Sequence, residues 1–316
     1  MSTSVSTPTE PRNERSRLAQ FLDVVVSTSS SDAFTPRSRE IKMMLENKTA
    51  VIYGGGGAIG GTVARAFAGA GARVYLAGRS RARLEKVAND IGDAAGVAEL
   101  DALDERAVAE HADAVAADAG GIDIALNAVS FPFVHGTPFA ELAVEEVMHP
   151  IDAFLRTNLI TAKAVVRHMT ARRSGTILTL STGASRVALP GTLGYGTTGA
   201  AIETMTQRLA VELGPSGVRV VCLRAHAIAD GPSNGSFAGE VFGRRAAAAG
   251  VSVEQWLVQW AEDVTLLGRL PTLAQVADAA VFLASDRAGA ITGAVVDLTG
   301  GNAVRTTAGA LVGVLD

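Results

Sequence analysis

Seven short runs rich in apolar and β-branched residues recur between Thr49 and Leu298, separated by longer stretches of helical periodicity. They are Thr49–Tyr53, Arg73–Ala77, Val97–Leu100, Ile122–Asn127, Thr176–Leu180, Val218–Leu223 and Val295–Leu298. Nearly continuous apolar strands joined through helices call for a parallel sheet buried on both faces, because parallel neighbours need a long crossover connection. The prediction is an α/β, doubly wound, seven-stranded parallel sheet with helices on both faces. Its ligand crevice belongs beyond the carboxyl ends of the strands. Asp104 and Ser80 stand where helix N-caps belong, and Pro150 reads as the opening of the long helix that follows it.

Composition narrows the function. The chain has 316 residues, 48% of them hydrophobic, 19% charged and 5% aromatic, with a net charge of -4. This excludes a disordered chain, and it argues against a nucleic-acid binder, which needs a concentrated basic face. No apolar run approaches the length of a membrane span. The single cysteine, Cys222, leaves no intrachain disulfide and no zinc spacing, so no metal site is expected. The expectation is a cytoplasmic enzyme acting on a small molecule. Residues 1–46 form a compositionally distinct N-terminal extension, rich in Ser, Thr, Pro and Arg, read as a mobile or partner-packed arm. Residues 47–302 form the catalytic domain, and 303–316 form a C-terminal tail whose apolar stretch Ala308–Leu315 suits burial between subunits.

The first strand runs directly into Tyr53-Gly54-Gly55-Gly56-Gly57-Ala58-Ile59-Gly60-Gly61, which opens the first helix. Glycines at such a junction let the chain turn tightly and bring backbone N–H groups against a pyrophosphate at a positive helix end. Gly55, Gly57 and Gly60 satisfy G-x-G-x-x-G, and the strand–helix setting makes the sheet Rossmann-type. The loop residues assigned to a dinucleotide are Gly54, Gly56, Gly57, Ala58, Ile59 and Gly60. After the second strand comes Ala77-Gly78-Arg79-Ser80, with no carboxylate to hold a ribose 2′-hydroxyl. Arg79 suits the 2′-phosphate of NADP(H), with NAD the alternative. Asp101, followed by Ala102, is placed to accept from an adenine amino group.

Together these features resemble the short-chain dehydrogenase/reductase family across roughly Asn47 to Asn302. Asn158 in Arg156-Thr157-Asn158-Leu159 matches the family's helix asparagine, and Thr182, thirteen residues before Tyr195, matches its catalytic serine, with Ser181 alongside. Pro190 and Gly191 match the loop before the tyrosine. Leu267-Gly268-Arg269, Phe282–Asp286, Ile291-Thr292-Gly293 and Thr299-Gly300-Gly301 resemble the closing segments. The resemblance implies Tyr195 as proton donor or acceptor, Thr182 or Ser181 orienting the substrate oxygen, and Asn158 supporting a water chain. Asn127-Ala128-Val129-Ser130 takes the place of the family's Asn-Asn-Ala-Gly, which adds Asn127 and Ala128 to the cofactor residues.

The sequence departs from the family where a lysine is expected four residues after the tyrosine; Gly199 stands there. Leu178-Thr179-Leu180-Ser181 and Asp123–Phe131 resemble the enoyl-acyl-carrier-protein reductase branch, whose lysine comes seven residues after the tyrosine, and there this chain has Ile202. A nearby cation lowers an acid's pKa by roughly 1–3 units, so its absence removes about 1.4–4 kcal/mol of phenolate stabilisation. Oxidation, which needs phenolate, suffers more than reduction, which needs the neutral phenol. Lys163, five residues beyond Asn158, lies about 140° round the helix and is a poor replacement. Arg224, a water or a partner subunit could supply the cation instead. His226, beside the nicotinamide by resemblance, could act as acid or base near neutral pH. His135 lies on the crevice side. Tyr53, where threonine is usual, reads as strand-end packing.

Residues 229–267 break the strand–helix rhythm and read as a lid insertion over the crevice. Trp256 and Trp260 share one face there, either packing on a neighbour or walling the substrate. The expected function is NADP(H)-dependent reduction of a carbonyl or activated alkene, with Tyr195 as proton donor. The alternatives are a non-redox dehydratase, cyclase or lyase using Tyr195, Thr182 and His226, or a non-catalytic dinucleotide-binding protein. A homodimer or homotetramer is expected through the helices carrying Asn158 and Tyr195.

Overall fold

The computed structural model describes residues 43–236 and 238–304. The N-terminal extension and C-terminal tail lie outside the described residues except at their junctions, 43–46 and 303–304. Seven parallel strands form one sheet in the order β3-β2-β1-β4-β5-β6-β7. They are β1 Thr49–Tyr53, β2 Arg73–Gly78, β3 Ala95–Glu99, β4 Ile124–Asn127, β5 Gly175–Thr182, β6 Val218–Ala225 and β7 Val295–Leu298. The strand order reverses between β1 and β4, which opens the crevice at their carboxyl ends.

β1 shows why the apolar runs are continuous. Ala50 and Ile52 enter the core on one face of the sheet, while Val51 and Tyr53 enter the core on the other. Helix α1 (Ala58–Gly69) and α2 (Arg81–Ile91) contribute Val63, Phe67, Leu84 and Val87 to the first core. Helix α3 (Glu105–Ala119) and α4 (Val144–Arg172) contribute Val108, Val115, Val165 and Met169 to the second. Leu45, assigned by sequence to the extension, is fully buried in the first core, so the packed domain begins before residue 47. Among the described residues, no helix is long and apolar enough to cross a membrane.

Several local expectations need correction. β5 and β6 run beyond their apolar stretches, because the ladder continues through Ser181↔Arg224 and Thr182↔Ala225. Those polar residues, which read as loop, are thereby fixed at the carboxyl edge of the sheet. β3 begins two residues earlier than its apolar run and ends at Glu99. Pro150 does not open α4; it lies inside the helix, which starts at Val144 with the Glu146 carboxylate accepting from the Ala143 backbone N–H at 2.9 Å. The proline forfeits one helical bond but is buried against the first turn of α5 (Leu193–Leu213), near Gly194. Asp104 caps α3 by accepting from the Ala107 N–H at 3.0 Å, whereas Ser80 holds the N-cap position of α2 without a side-chain capping bond.

The lid contains α6 (Ala238–Ala248) and α7 (Val253–Val264), followed by α8 (Leu273–Ala284). Ser252 and Gln255 close a reciprocal capping box on α7, and Thr272 and Gln275 do the same on α8.

Candidate active site

A cavity of about 960 Å³ extends from the glycine loop to the lid. At one end Gly54, Gly56, Gly57, Ala58 and Ile59 line it, together with Arg79, Arg83, Asp101, Ala102 and Ala128. Gly60 packs beneath the loop: a Cβ there would lie 2.3 Å from the Gly54 carbonyl oxygen. Gly54 adopts φ +79°, and a Cβ there would meet the Ala128 carbonyl oxygen at 2.5 Å. The chain can therefore make this turn only without side chains, which leaves a cradle of backbone N–H groups at the start of α1. That cradle, with two arginines beside it and no carboxylate at the end of β2, fits the phosphates of a dinucleotide. Asp101 accepts from the Leu103 N–H at 2.9 Å and still borders the cavity. Asn127 does not line it: its Nδ2 donates to Thr161 Oγ1 at 3.0 Å and its Oδ1 accepts from the Val129 N–H at 3.1 Å. Its place is to tie the end of β4 to α4.

Tyr195 sits in the first turn of α5 and lines the same cavity as Thr182 at the end of β5. Burial pushes the phenol above its usual range, with the nearby Thr182 hydroxyl pulling the other way. The loop after β4 closes over the tyrosine. Gly136 donates its N–H to the Gly191 carbonyl at 2.9 Å, and a Cβ on Gly191 (φ +73°) would strike the Gly136 Cα at 2.4 Å. This close backbone approach lays Phe133 on Tyr195, stacked at 4.1 Å between centroids and 18° between planes, with His135 edge-on at 5.2 Å.

Behind Tyr195 there is no room for any side chain at position 199. A Cβ on Gly199 would lie 2.7 Å from Thr182 Cγ2 and 3.3 Å from Ser181 Oγ. Ile202 is buried and lines the cavity wall. Arg224 does not stand free to serve Tyr195. Its Nε and Nη2 hold Glu203 at 2.8 and 2.7 Å, and its Nη1 holds Asp297 at 3.0 Å. Glu203 also accepts from Ser181 Oγ at 2.6 Å and Ser185 Oγ at 2.5 Å. Asp297 accepts from the Thr299 hydroxyl and backbone N–H. Burial works to raise both carboxyls, but these donors outweigh it and hold both below the usual range. One arginine thus faces two carboxylates, and no net positive charge is left for the tyrosine. Lys163 faces outward to Glu105 at 2.6 Å.

Sequence reasoning missed Glu203, Ser185 and Asp297. The readable signal was a glutamate eight residues after Tyr195 and four after Gly199, on the same face of α5. Asn158 is turned onto its own helix: Nδ2 donates to the Phe154 carbonyl at 2.8 Å, and the buried Oδ1 has no partner among the described residues. It does not border the cavity. Tyr53 is fully buried at the end of β1, with its hydroxyl likewise without a partner among the described residues.

The lid supplies the other end. Gly231, Val241, Phe242, Trp260 and Val264 line the cavity, with Arg244, Arg245 and Asp263. Trp256 stacks on Trp260 at 5.2 Å and on Phe242 at 5.3 Å, so one tryptophan packs inside the lid while the other faces the cavity. His226 touches Trp260 edge-on at 5.0 Å. Its Nδ1 accepts from the Ala227 N–H at 2.6 Å, which places the proton on Nε2, where no group among the described residues accepts it. Burial lowers its imidazole to about 4, with Asp297 opposing, and burial followed by the charge of Arg245 lowers His135 to about 4. Both are neutral at pH 7.

Comparison with known proteins agrees with this arrangement. Residues 56–303 match the family model described as enoyl-(acyl carrier protein) reductase. The 3-oxoacyl-(acyl-carrier-protein) reductase FabG of Chlamydia muridarum (strain MoPn / Nigg) is 30% identical over 264 residues, covering 82% of this chain and 99% of that protein. Tropinone reductase-like 2 of Erythroxylum coca is 31% identical over 264 residues, covering 82% of this chain and 92% of that one. The crystal structure of a 3-ketoacyl-(acyl-carrier-protein) reductase from Brucella melitensis complexed with NADH superposes with a TM-score of 0.70 at 26% identity, covering 82% of this chain and 99% of that one. A cradle for a dinucleotide, a tyrosine–threonine pair at the sheet edge and relatives matched over nearly their whole length have one common reading: the chain belongs to the short-chain dehydrogenase/reductase family.

Proposed function

We propose that the protein is an NADP(H)-dependent reductase of a carbonyl or activated alkene in a small organic substrate. The observation that carries this reading is the placement of Tyr195 and Thr182 in the cavity that also holds the glycine cradle and Arg79. The relatives named as reductases support it. Bound NADPH supplies the hydride. Tyr195, kept as a neutral phenol by burial, gives its proton to the substrate oxygen as the π pair of the carbonyl moves onto that oxygen. Thr182 orients the oxygen, with Ser181 held behind it by Glu203. The absence of a side chain at Gly199, and of net charge from Arg224, favours the reductive direction, because among the described residues no cation beside Tyr195 stabilises phenolate.

The non-redox alternative draws less support: an imidazole near pKa 4 makes His226 a weak base and a scarce acid at pH 7. Neutral His226 is better suited to donating Nε2–H to a bound carbonyl or carboxamide. Assembly through α4 and α5 is supported by an exposed groove whose lining includes Leu155, Leu159, Ala200, Ala201 and Met205, where small residues admit a close helix approach.

The test is titration of cofactor-stripped protein with NADPH and NADH, read by nicotinamide fluorescence. Micromolar NADPH binding, weakened about tenfold by Arg79→Ala with NADH binding little changed, is the expected result. Failure to bind either cofactor refutes the reading.

A further inference from the structure

The cavity has two cationic ends. Arg79 and Arg83 flank the glycine cradle; Arg244 and Arg245, on α6, border the opposite end. Among the described residues, neither Arg244 nor Arg245, both exposed, forms an ion pair with a carboxylate, whereas the exposed Arg106 and Arg156 do. Instead both reach towards the chemistry. Arg244 Nη2 donates across to the His135 backbone carbonyl at 3.3 Å, and the Arg245 guanidinium lies over the Trp256 ring at 5.9 Å. Arg245 is also near enough to His135 for its charge to be felt there, and the His135 ring touches Tyr195. One side chain therefore separates the lid arginines from the proton donor. Asp263 borders the same cavity and His135 is neutral, so the described residues that line this end carry one net positive charge. The surroundings are apolar. Aromatic residues are only 5% of the chain, yet Phe131, Phe133, Phe154, Tyr195, Phe242 and Trp260 all line this cavity.

A cation in an apolar, partly enclosed wall gains by meeting an anion there, because the field is less screened than in water. The guanidinium fork matches a carboxylate in particular. We propose that the substrate is an oxo acid: an apolar carbonyl compound whose carboxylate is held by Arg244 and Arg245 while its ketone oxygen meets Tyr195. The ketone half of this assignment rests on the reductase reading above; the anion site stands on its own geometry. Phe242 and Trp260 flank the apolar body, and the carboxylate sets which way round the substrate lies.

The chain's two tryptophans, Trp256 and Trp260, both lie in this lid, so intrinsic fluorescence reports binding without turnover. The full-length protein is titrated with 4-phenylbutanoate and with the neutral isostere 4-phenylbutanamide, with and without NADP+. Expected are saturable quenching, an acid affinity about tenfold above that of the amide, and a preference that shrinks with added salt. In the Arg244→Gln/Arg245→Gln variant the acid should fall to the affinity of the amide, while amide and NADPH binding hold, which also shows the variant is folded. Equal affinity of acid and amide in the parent, a preference that survives in the variant, or no quenching by either probe overturns the proposal. NADPH binding measured on the same samples separates the two readings: its absence alongside a retained acid preference defeats the reductase and leaves the anion site standing.

Discussion

Two walls of one cavity differ in how they hold charge. The wall built from β5, β6 and α5 is backed by Arg224 and Glu203, with Asp297 of the neighbouring β7, each hydrogen-bonded at the sheet edge. The lid wall carries Arg244, Arg245 and Asp263, with no carboxylate paired to either arginine among the described residues. Buried charges are tolerable only when paired, because desolvation otherwise costs several kcal/mol per ion. Charges at a cavity mouth can wait for a ligand. On the proposed reading the difference is a division of labour: the sheet-edge wall fixes Thr182 and Tyr195 in register, and the lid wall reads what is placed against them.

The comparison can be broken at its strongest point by Tyr195→Phe, which removes the proton donor and leaves the stack on Phe133. NADPH-dependent turnover should fall by about 10²–10⁴-fold with NADPH affinity unchanged, as read by steady-state kinetics and cofactor titration. An unchanged rate would take Tyr195 out of the mechanism. Next in size is Arg224→Leu, which strands the Glu203 carboxylate and should cost about 3–5 kcal/mol of folding stability in urea melts. Adding Glu203→Leu should recover most of that loss. The corresponding Arg245→Leu change on the lid should leave the urea midpoint nearly where it was, because that side chain is exposed. Equal losses on the two walls would erase the distinction between them.

The smallest effect is one of pH. His135 and His226 have folded-state values near 4, below the ordinary 6.5, so the unfolded chain binds more protons between those limits. Their contribution is therefore fully present above about pH 6.5 and is lost as pH falls towards 4. Urea midpoints should decline across that window, with tryptophan fluorescence changing early because His226 touches Trp260. His226→Asn should flatten the slope. Glu203 and Asp297, held below the usual carboxylate range, should bring a second loss only at still lower pH.

Some of this was legible because it depends on neighbours along the chain. The glycine cradle needs a positive φ at Gly54 and close backbone contact at Gly60, and both demands fall within one loop of G-x-G-x-x-G spacing. The strand periodicity sufficed for a sheet buried on both faces, and the resemblance to the short-chain dehydrogenase/reductase family paired Thr182 with Tyr195. Pro150 shows where local reasoning fails. Proline favours a helix start, but burial against α5 and a start capped by Glu146 outweighed that preference.

The sequence by itself determined the layered α/β sheet and the glycine loop, because each is encoded by periodicity or fixed spacing, and its resemblance to the family pointed to the tyrosine–threonine pair. Only the tertiary structure decided that Arg224 is consumed by carboxylates 21 and 73 residues away along the chain. It also decided that Asn127 and Asn158 turn away from the cavity, and that Arg244 reaches a carbonyl 109 residues distant. Such pairings are set by how crossover helices and loops bring remote segments to one sheet edge. A charge or an amide carries no mark in the sequence of which partner the fold will bring to it.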